Sequence, residues 1–565
     1  MAKVISIGNQ SFESIREKDN FYIDKTNFIR EWWDNDDTVT LITRPRRFGK
    51  TLNMSMLECF FSNKYKDRGD LFEGLEIWND EKYRKLQGTY PVIFLSFAEI
   101  KQNNYNDAVE KIKRIICEVC QQFDFLKNWD GLTEIEKKNI SNISYNMSDV
   151  MAQDLIKNMS NYLSRYYGKK VIILLDEYDT PMQEAYVNGY WEELVAFTRS
   201  LFNSTFKTNP YLERAIMTGI TRVSKESIFS DLNNLKVITV TSDEYSKCFG
   251  FTEDEVFAAL DEQGLSSEKE KVKLWYDGFT FGDEKDVYNP WSIINFLDEK
   301  KYKTYWADSS SNGLVNELIR TGSAEIKKTM ETLIAGGTVE KNIDEQIVFE
   351  QLKTNKDAVW SLLLASGYLR VETFRTEGRL NKKIYSLKLT NYEVEQMFGT
   401  MIERWFGGAD VPYNEFINAM LNGDIESMNE YMNRVTRGVI SYFDTGKTPS
   451  DEEPERFYHG LVLGLMVEQV DNYILNSNRE SGYGRYDIML EPIDKTNEKY
   501  PGIVIEFKVI NPRKENTLEE TVAAALKQIE EKNYDAELVK RGVKEENIHH
   551  YGFAFRGKEV LIDGM

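Results

Sequence analysis

Cysteine, histidine and proline are scarce in this chain of 565 residues, which contains four cysteines, three histidines and eleven prolines. So few cysteines exclude a disulfide-stapled fold and are typical of proteins from the reducing cytosol. Cys117 and Cys120 form a single C-x-x-C pair. A structural zinc site needs a second pair of ligands, so we interpret these two residues as thiols on a helix face.

Long apolar runs are also missing. The first twenty residues hold no apolar signal core, and no segment approaches the roughly 20 apolar residues of a membrane span. We therefore expect a cytoplasmic protein that is neither secreted nor inserted into a membrane. A hydrophobic fraction of 41% and a charged fraction of 29% predict a folded globular chain.

The chain has fewer positively charged residues than negatively charged ones. The chain has 71 Lys and Arg residues against 92 Asp and Glu residues, which gives a formal net charge of -21. This balance excludes general attraction to polyanions. If the protein binds nucleic acid, it must do so through a local basic site or a metal-bearing site.

Five short runs rich in Val, Ile and Leu alternate with helical patterns in the first half of the chain. These runs are residues 39–44, 91–97, 171–177, 214–220 and 235–241. Because they show little polar alternation, they predict strands that are buried on both faces of a parallel α/β sheet. The charged, helical stretch 101–168 is expected to cover one face of that sheet.

The pattern changes after residue 245. Thr252, with an acidic residue three places later, predicts a capped helix. A helix at 357–366 and two strands around Gly378 predict a winged-helix-like unit within a helical middle region. The polar stretch 445–457 predicts a linker to a last α/β unit that begins with a helix at 456–470. We predict three domains, over 1–245, 246–444 and 445–565.

Phosphate-binding chemistry follows the first apolar run. Gly49, Lys50 and Thr51 match the end of the pattern G-x-x-x-x-G-K-[ST] where a helix begins. Backbone N–H groups, a lysine and a hydroxyl are what the phosphates and Mg²⁺ of a nucleotide need. Arg44 stands in place of the first glycine. With Arg46 and Arg47 it could supply charge where backbone N–H groups are less available. The alternative is a basic turn before a helix.

Residues for Mg²⁺ binding, water activation and phosphate sensing are predicted at the ends of two later apolar segments. Asp176 is predicted to hold Mg²⁺, and Glu177 to orient or activate the attacking water. Thr218 is placed to sense the terminal phosphate from a neighbouring strand. Arg222 could reach a phosphate in the same or a neighbouring subunit. A salt bridge near a helix cap is the equal alternative for Arg222.

A family resemblance rests on six strings that occur in order. They are YIDKTNFI, TRPRRFGKT, LLDEYDTP, TGITRVSKESIF, WYDGF and YNPWSI. Together they resemble the bacterial AAA-ATPase-like family over about residues 3–300. The resemblance implies a P-loop ATPase with sheet order 5-1-4-3-2. ATP and Mg²⁺ are the cofactors that the residues above predict, and a homo-oligomer formed through the ATPase domain is one arrangement that we consider. Arg44 resembles the family's own pattern, so the sequence leaves open whether ATP is hydrolysed or only bound.

A second constellation lies near the end of the chain. Asp487 falls in a strand after a glycine-rich turn, and Glu506 and Lys508 share one face of the next strand. Two carboxylates can hold Mg²⁺ at a phosphodiester, and the lysine can orient or deprotonate the attacking water. Gln528, on the following helix, is expected to hydrogen-bond that lysine or the nucleic-acid backbone. A surface salt bridge is the alternative for Glu506 and Lys508.

These residues resemble the PD-(D/E)XK nuclease superfamily over about residues 455–560, with Tyr486 in place of the usual proline. The resemblance implies a metal-dependent nuclease-like α/β domain. Glu455 or Glu468 is a candidate further ligand from the preceding helix, with a plain surface charge as the alternative. His459 on the same helix is interpreted as a hydrogen-bonded core residue or as a residue that supports the site, in preference to a catalytic residue.

Two functions follow. The first is an ATP-binding protein whose ATPase controls a Mg²⁺-dependent nuclease acting on nucleic acid, with DNA favoured over RNA. The alternative is a nucleotide-dependent switch or regulator whose nuclease-like domain only binds nucleic acid or a partner. A weaker third hypothesis has the predicted wing bind DNA, although a solvated wing is favoured. The basic residues of the wing are Arg370, Arg375, Arg379, Lys382 and Lys383.

Overall fold

The chain forms two compact units, Met1–Ser311 with Glu340–Val394, and Asn312–Val339 with Glu395–Met565. A computed structural model describes residues 3–221, 228–229, 232–307, 309, 313–320, 324–334, 336–344, 357–378, 382–406, 414–439, 472–477, 480–481, 484–497, 499–510, 515–556 and 559–564. The predicted linker and the predicted helix at 456–470 lie outside these residues, and the three domain bounds remain predictions. Among the described helices, none combines the length and apolar character needed to cross a bilayer.

A five-stranded parallel sheet forms the centre of the first unit. Its strands are β1 (Val39–Thr43), β2 (Val92–Ser96), β3 (Val171–Asp176), β4 (Leu212–Gly219) and β5 (Leu235–Ile238). The spatial order β2-β3-β4-β1-β5 confirms the predicted order 5-1-4-3-2, counted from the opposite edge. Every residue of β1 and β3 is buried, which explains their uninterrupted apolar sequences. All carboxyl ends of these strands lie at one edge, where ligands bind in such folds.

Helices connect these strands and cover the sheet. They are α1 (Phe12–Glu17), α2 (Asn27–Asn35), α3 (Lys50–Phe61), α4 (Glu81–Arg84), α5 (Tyr105–Gln121), α6 (Glu134–Ser141), α7 (Asp149–Tyr167), α8 (Thr180–Asn188) and α9 (Trp191–Phe202). The stretch 101–168 is helical as predicted, and α5 contacts β2 while α7 contacts β3. Cys117 and Cys120 are buried on α5, as expected for thiols on a packed helix face.

A smaller subdomain, residues 250–307, follows the parallel sheet within the first unit. It contains β6 (Phe251–Thr252), α10 (Glu253–Glu262), α11 (Lys269–Tyr276), β7 (Phe279–Phe281), β8 (Glu284–Tyr288) and α12 (Pro290–Glu299). Its strands pair in the order β6-β8-β7. The predicted capping box is confirmed, because the Thr252 hydroxyl and the Glu255 carboxylate each accept the other residue's backbone N–H. We call residues 250–307 the lid segment.

The predicted wing is present and carries a third strand. The elements of this region are α13 (Gly313–Arg320), α14 (Ala324–Ile334), β9 (Val339–Lys341), α15 (Ala358–Ala365), β10 (Leu369–Glu377), β11 (Lys382–Leu389) and α16 (Tyr392–Phe406). Strands β10 and β11 form an antiparallel hairpin, and the sheet order is β10-β11-β9. Arg370 and Arg375 pair with Glu372 and Glu340. Those two arginines are therefore partly neutralised, which favours the solvated wing.

The second unit contains a mixed five-stranded sheet between two layers of helices. Its elements are α17 (Asn414–Asn422), α18 (Ile425–Val439), β12 (Tyr473–Ser477), β13 (Glu480–Ser481), β14 (Gly484–Arg485), β15 (Ile488–Pro492), β16 (Gly502–Val509), α19 (Leu518–Lys532), α20 (Ala536–Lys540), β17 (Ile548–Arg556) and β18 (Glu559–Gly564). The sheet order is β12-β15-β16-β17-β18, with β16 and β17 parallel. Helices α17 and α18 pack on one face, and α19 packs on the other.

Loss of the capping box should destabilise the lid segment. Thr252→Ala removes the hydroxyl that accepts the Glu255 N–H, and we expect a loss of about 1 kcal/mol in the free energy of unfolding. Thr252→Ser keeps the hydroxyl and serves as the matched control. Denaturant unfolding followed by tryptophan fluorescence measures the effect, and equal stability of the two variants would contradict it.

Candidate nucleotide and nuclease sites

The loop between β1 and α3 has the shape of a phosphate-binding turn. Gly49 caps α3 with φ of 78°, a left-handed conformation that disfavours a side chain. Lys50 is buried, and its ammonium donates to the carbonyl oxygens of Arg44 at 2.9 Å and Pro45 at 2.8 Å. The lysine therefore crosses the loop and holds its two ends together. Burial lowers the pKa of Lys50, while the nearby Glu177 and Asp176 carboxylates oppose that change.

Arg44 lies in the protein interior and not on the surface of this loop. Its guanidinium donates to the carbonyls of Thr43 at 2.9 Å and Thr239 at 2.7 Å, and it lies 4.5 Å from the centre of the Phe281 ring. Burial lowers the pKa of Arg44 to about 10. Its backbone N–H donates to the Gly219 carbonyl at 3.1 Å. Neither group faces the loop interior, so Arg44 is placed to support the loop.

Arg47 is exposed and takes a left-handed conformation, with φ of 67°. Its guanidinium lies 4.3 Å from the ring centre of Trp291 in the lid segment. The neighbouring carbonyl of Arg46 accepts the Trp306 indole N–H at 3.0 Å and the Asn289 amide at 3.3 Å. The lid segment therefore holds the phosphate loop in place, and Arg47 stays close to solvent at its rim.

The structure brings Thr51, Asp176 and Thr218 together at the carboxyl edge of the sheet. The Thr51 hydroxyl donates to Asp176 at 2.7 Å, and the Thr218 hydroxyl donates to the other carboxylate oxygen. Glu177 has φ of 52° and lies beside them, with its N–H 3.4 Å from the Thr218 hydroxyl. Hydroxyl and carboxylate oxygens suit Mg²⁺, which keeps several waters and takes few protein ligands. Thr51 and Asp176 therefore fit such an ion.

Burial dominates the electrostatics of Asp176. Its side chain is fully buried, and burial raises its pKa, while the hydrogen bonds from Thr218 and Thr51 oppose that change. A buried carboxylate is costly unless cations or donors compensate it. Burial makes the charged form of Asp176 unfavourable when no cation is present. The same burial strengthens the attraction between this carboxylate and a divalent cation.

Asp179 belongs to this edge of the sheet and was not predicted. Its carboxylate accepts the backbone N–H groups of Ile220 at 3.0 Å and Thr221 at 2.8 Å. Among the described residues, none hydrogen-bonds its other oxygen, Oδ1. A Cβ atom on Gly219 would lie 2.7 Å from that oxygen, so only glycine fits there. The second aspartate of the string DEYD was the available signal.

Asp179 anchors the backbone directly before Arg222. Arg222 itself lies outside the described residues, and its predicted contact with a phosphate stays a prediction.

The second site is built on β15 and β16. Their antiparallel register pairs Ile488 with Ile505, and its extension by one residue brings Asp487 beside Glu506. The Asp487 carboxylate accepts the Phe507 N–H at 2.8 Å. Glu506 is buried. Two carboxylates on neighbouring strands therefore lie close together.

A hydrogen-bond network joins this site to helix α19. The Lys508 ammonium donates to the Gln528 carbonyl oxygen at 2.7 Å, and the Gln528 amide donates to Glu506. The same amide lies 3.1 Å from the Tyr534 hydroxyl. Lys508 is 3.9 Å from Glu506 and remains partly exposed. Gln528 therefore holds the lysine and the glutamate on one face, and the carboxylate oxygens of Asp487 and Glu506 fit a hard divalent cation.

Three other candidates of the predicted nuclease site, Glu455, His459 and Glu468, lie outside the described residues.

Comparisons with known proteins identify the two domains that contain these candidate sites. Residues 6–229 match the family model described as a predicted AAA-ATPase, and residues 453–564 match that of the PD-(D/E)XK nuclease superfamily. The chain thus carries an AAA-ATPase-like domain and a PD-(D/E)XK nuclease superfamily domain. It is also 25% identical over 396 residues to an uncharacterized protein from the vnfD 5' region of Azotobacter chroococcum. That similarity covers 70% of this chain and 68% of the relative.

The substitution Asp176→Asn should affect the stability of the fold and the binding of the cation in opposite ways or affect only the binding. Because the folded-state pKa of Asp176 is raised above 3.8, ionisation above that pH opposes folding. The asparagine variant should therefore unfold at an equal or higher temperature. Its Mg²⁺-dependent nucleotide binding should weaken at least about tenfold. Differential scanning fluorimetry and binding of a fluorescent ATP analogue measure the two effects.

Asp176→Ala is the companion variant, because it removes the acceptor of both threonine hydroxyls and should lower the unfolding temperature. Earlier unfolding of Asp176→Asn, or unchanged nucleotide binding, would contradict the assigned role.

Proposed function

We propose that this protein binds ATP with Mg²⁺ in its N-terminal domain and that this domain controls a Mg²⁺-dependent nuclease acting on DNA. The observation that carries the nuclease half is the network of Lys508, Gln528 and Glu506 beside Asp487. It presents two carboxylates and an ammonium on one face, which is the set of groups that phosphodiester hydrolysis needs. DNA is favoured over RNA as in the sequence-based hypothesis, and a cytoplasmic location is part of the proposal.

The residues of the nuclease site divide the work. Asp487 and Glu506 would hold Mg²⁺, which supplies Lewis-acid activation of the phosphodiester and of a bound water. Lys508 would orient or deprotonate the attacking water, or stabilise the charge that develops on the phosphate. Gln528 holds the lysine in position, because its side chain bonds both Lys508 and Glu506.

The residues of the ATPase-like site divide in the same way. Lys50 and the backbone after Gly49 would bind the outer phosphates, and Thr51 with Asp176 would hold Mg²⁺. Glu177 would orient the attacking water, and Thr218 would report on the terminal phosphate through its hydrogen bond to Asp176. Arg47 would add charge at the rim, and Arg222 could approach from the following segment.

Control of the nuclease would start at the phosphate loop and pass through the lid segment. Trp306 donates its indole N–H to Arg46, and its backbone N–H donates to Glu393 at 2.6 Å. Glu393 is fully buried and also accepts the Ser292 hydroxyl at 2.8 Å. It lies in the first turn of α16, and the boundary between the two compact units falls within that helix, after Val394. We infer that a nucleotide-dependent shift of the loop would reach α16 by this path.

A specific observation also favours the alternative, a nucleotide-dependent switch with slow turnover. The Lys50 ammonium is already bonded to two loop carbonyls, and the Arg44 N–H is bonded to Gly219. A phosphate would have to replace the two bonds of the Lys50 ammonium before this lysine could bind it. Such a loop could bind ATP and release phosphate slowly, while the nuclease-like domain only binds nucleic acid or a partner.

Cleavage assays test the nuclease. Purified full-length protein with Mg²⁺ or Mn²⁺ is expected to cut plasmid or single-stranded DNA faster than RNA. Lys508→Ala should lower the rate at least about 100-fold, because it removes a positioned cation from the reacting phosphate. Lys527→Ala is the matched control, since Lys527 is an exposed lysine on α19, next to Gln528. If wild-type protein leaves all substrates intact with and without ATP, the nuclease proposal fails.

Turnover assays distinguish the controlling ATPase from the slow switch. Lys50→Ala should weaken ATP binding at least about tenfold and abolish any effect of ATP on cleavage. Lys66→Ala, an exposed residue after the same helix, should change neither. Glu177→Gln should lower phosphate release at least about 100-fold if Glu177 activates the water. ATP binding without phosphate release, unaffected by Glu177→Gln, would favour the switch.

A further inference from the structure

Three carboxylates meet in the lid segment, outside both candidate sites. Glu253 begins α10, Asp277 follows α11, and Asp286 lies in β8. One oxygen from each residue lies within 4.8 Å of the other two. Asp277 belongs to the string WYDGF, to which no role has so far been assigned. Three elements of the lid segment thus bring their carboxylates together in one acidic cluster.

Asp277 is the buried member of this cluster. It is only 8% exposed, and among the described residues none hydrogen-bonds its Oδ1 atom. A carboxylate oxygen buried without a donor is unfavourable unless a cation compensates it. Glu253 is partly buried and Asp286 is exposed, so water can reach the open side of the cluster.

The positive charge within reach of the cluster is too small. The Lys273 ammonium donates to Glu253 and lies 3.6 Å from Asp286. Its side chain is 37% exposed, so it can swing into solvent. The Tyr288 hydroxyl donates to Glu253 at 3.2 Å and fixes that carboxylate. One flexible ammonium therefore faces three carboxylates.

We propose that Glu253, Asp277 and Asp286 bind one hard divalent cation of the Ca²⁺, Mg²⁺ or Mn²⁺ class. The ligand atoms are all carboxylate oxygens, which suit these ions and not softer metals. Water completes the coordination shell on the exposed side. The Lys273 ammonium occupies the place of the cation in part and turns to solvent when the cation binds.

The proposed cation site is connected to the phosphate loop through strand β7. Asp277 lies two residues before the start of β7, whose Phe279 and Phe281 rings lie 4.8 Å and 5.3 Å from the ring of Phe48. Phe48 immediately precedes Gly49 in the phosphate loop. A cation that ties β7 and β8 to the start of α10 therefore stiffens the surface on which that loop rests. This site is separate from the cation expected beside Thr51 and Asp176.

The test uses full-length protein from which the nuclease cation site has been removed by Asp487→Asn and Glu506→Gln. Chelator-treated protein without nucleotide is titrated with Ca²⁺ and with Mn²⁺ by isothermal calorimetry. We expect one equivalent to bind and to raise the unfolding temperature of the lid segment. Asp277→Asn should weaken binding at least about tenfold. Asp254→Asn is the matched control, since Asp254 is exposed on the same helical turn as Glu253.

Two further variants keep the proposal falsifiable if Asp277→Asn fails to fold. Asp286→Asn changes a half-exposed ligand and should also weaken binding. Lys273→Gln removes the competing ammonium and should tighten binding. The proposal is overturned if neither cation binds, if Asp277→Asn or Asp286→Asn binds as the control does, or if Lys273→Gln leaves the affinity unchanged.

Discussion

The hydrogen bonds from two threonine hydroxyls to the buried Asp176 carboxylate hold the carboxyl edge of the first sheet together. Thr51 comes from α3 and Thr218 from β4, while Asp176 ends β3. These hydrogen bonds connect three elements that are distant in sequence to one carboxylate. The other residues of that edge lie around this carboxylate. Lys50 supplies the nearby positive charge, and Asp179 fixes the backbone that follows β4.

The nuclease domain uses the same physical arrangement. Glu506 is buried on a central strand, and an amide from α19 donates to it. Lys508 is held by the carbonyl oxygen of that same amide and does not sit in close contact with the carboxylate. Neutral donors position each acid without cancelling its charge. Both sites therefore keep the negative potential that a divalent cation requires.

The lid segment explains the dense aromatic residues that follow the first sheet. Phe279 and Phe281 pack on Phe48, and Trp306 bonds the carbonyl of Arg46. A loop with arginine in place of the first glycine has lost part of its usual backbone freedom. Arg44 instead turns inward, where Phe281 and buried carbonyls hold it. The lid segment and Arg44 together supply the rigidity of the phosphate loop.

Much of this architecture was predictable because strand burial, strand alternation and helix capping are local properties. Uninterrupted apolar runs identified β1 and β3, and alternation placed Glu506 and Lys508 on one face. The sheet order came from resemblance. Local patterns could not place the Arg44 side chain. An arginine that points into a phosphate loop and one that points into the protein interior look identical in the sequence, and only the packing around the loop distinguishes them.

Only the tertiary structure decided which distant groups meet. Asp179 faces the residues after β4, and α17 joins the core of the nuclease sheet. Glu253, Asp277 and Asp286 converge from three separate elements. The physical reason is that the partners of a buried side chain depend on which elements pack together. The chain sequence by itself determined the chemistry available at each position, and packing determined which of those groups act together.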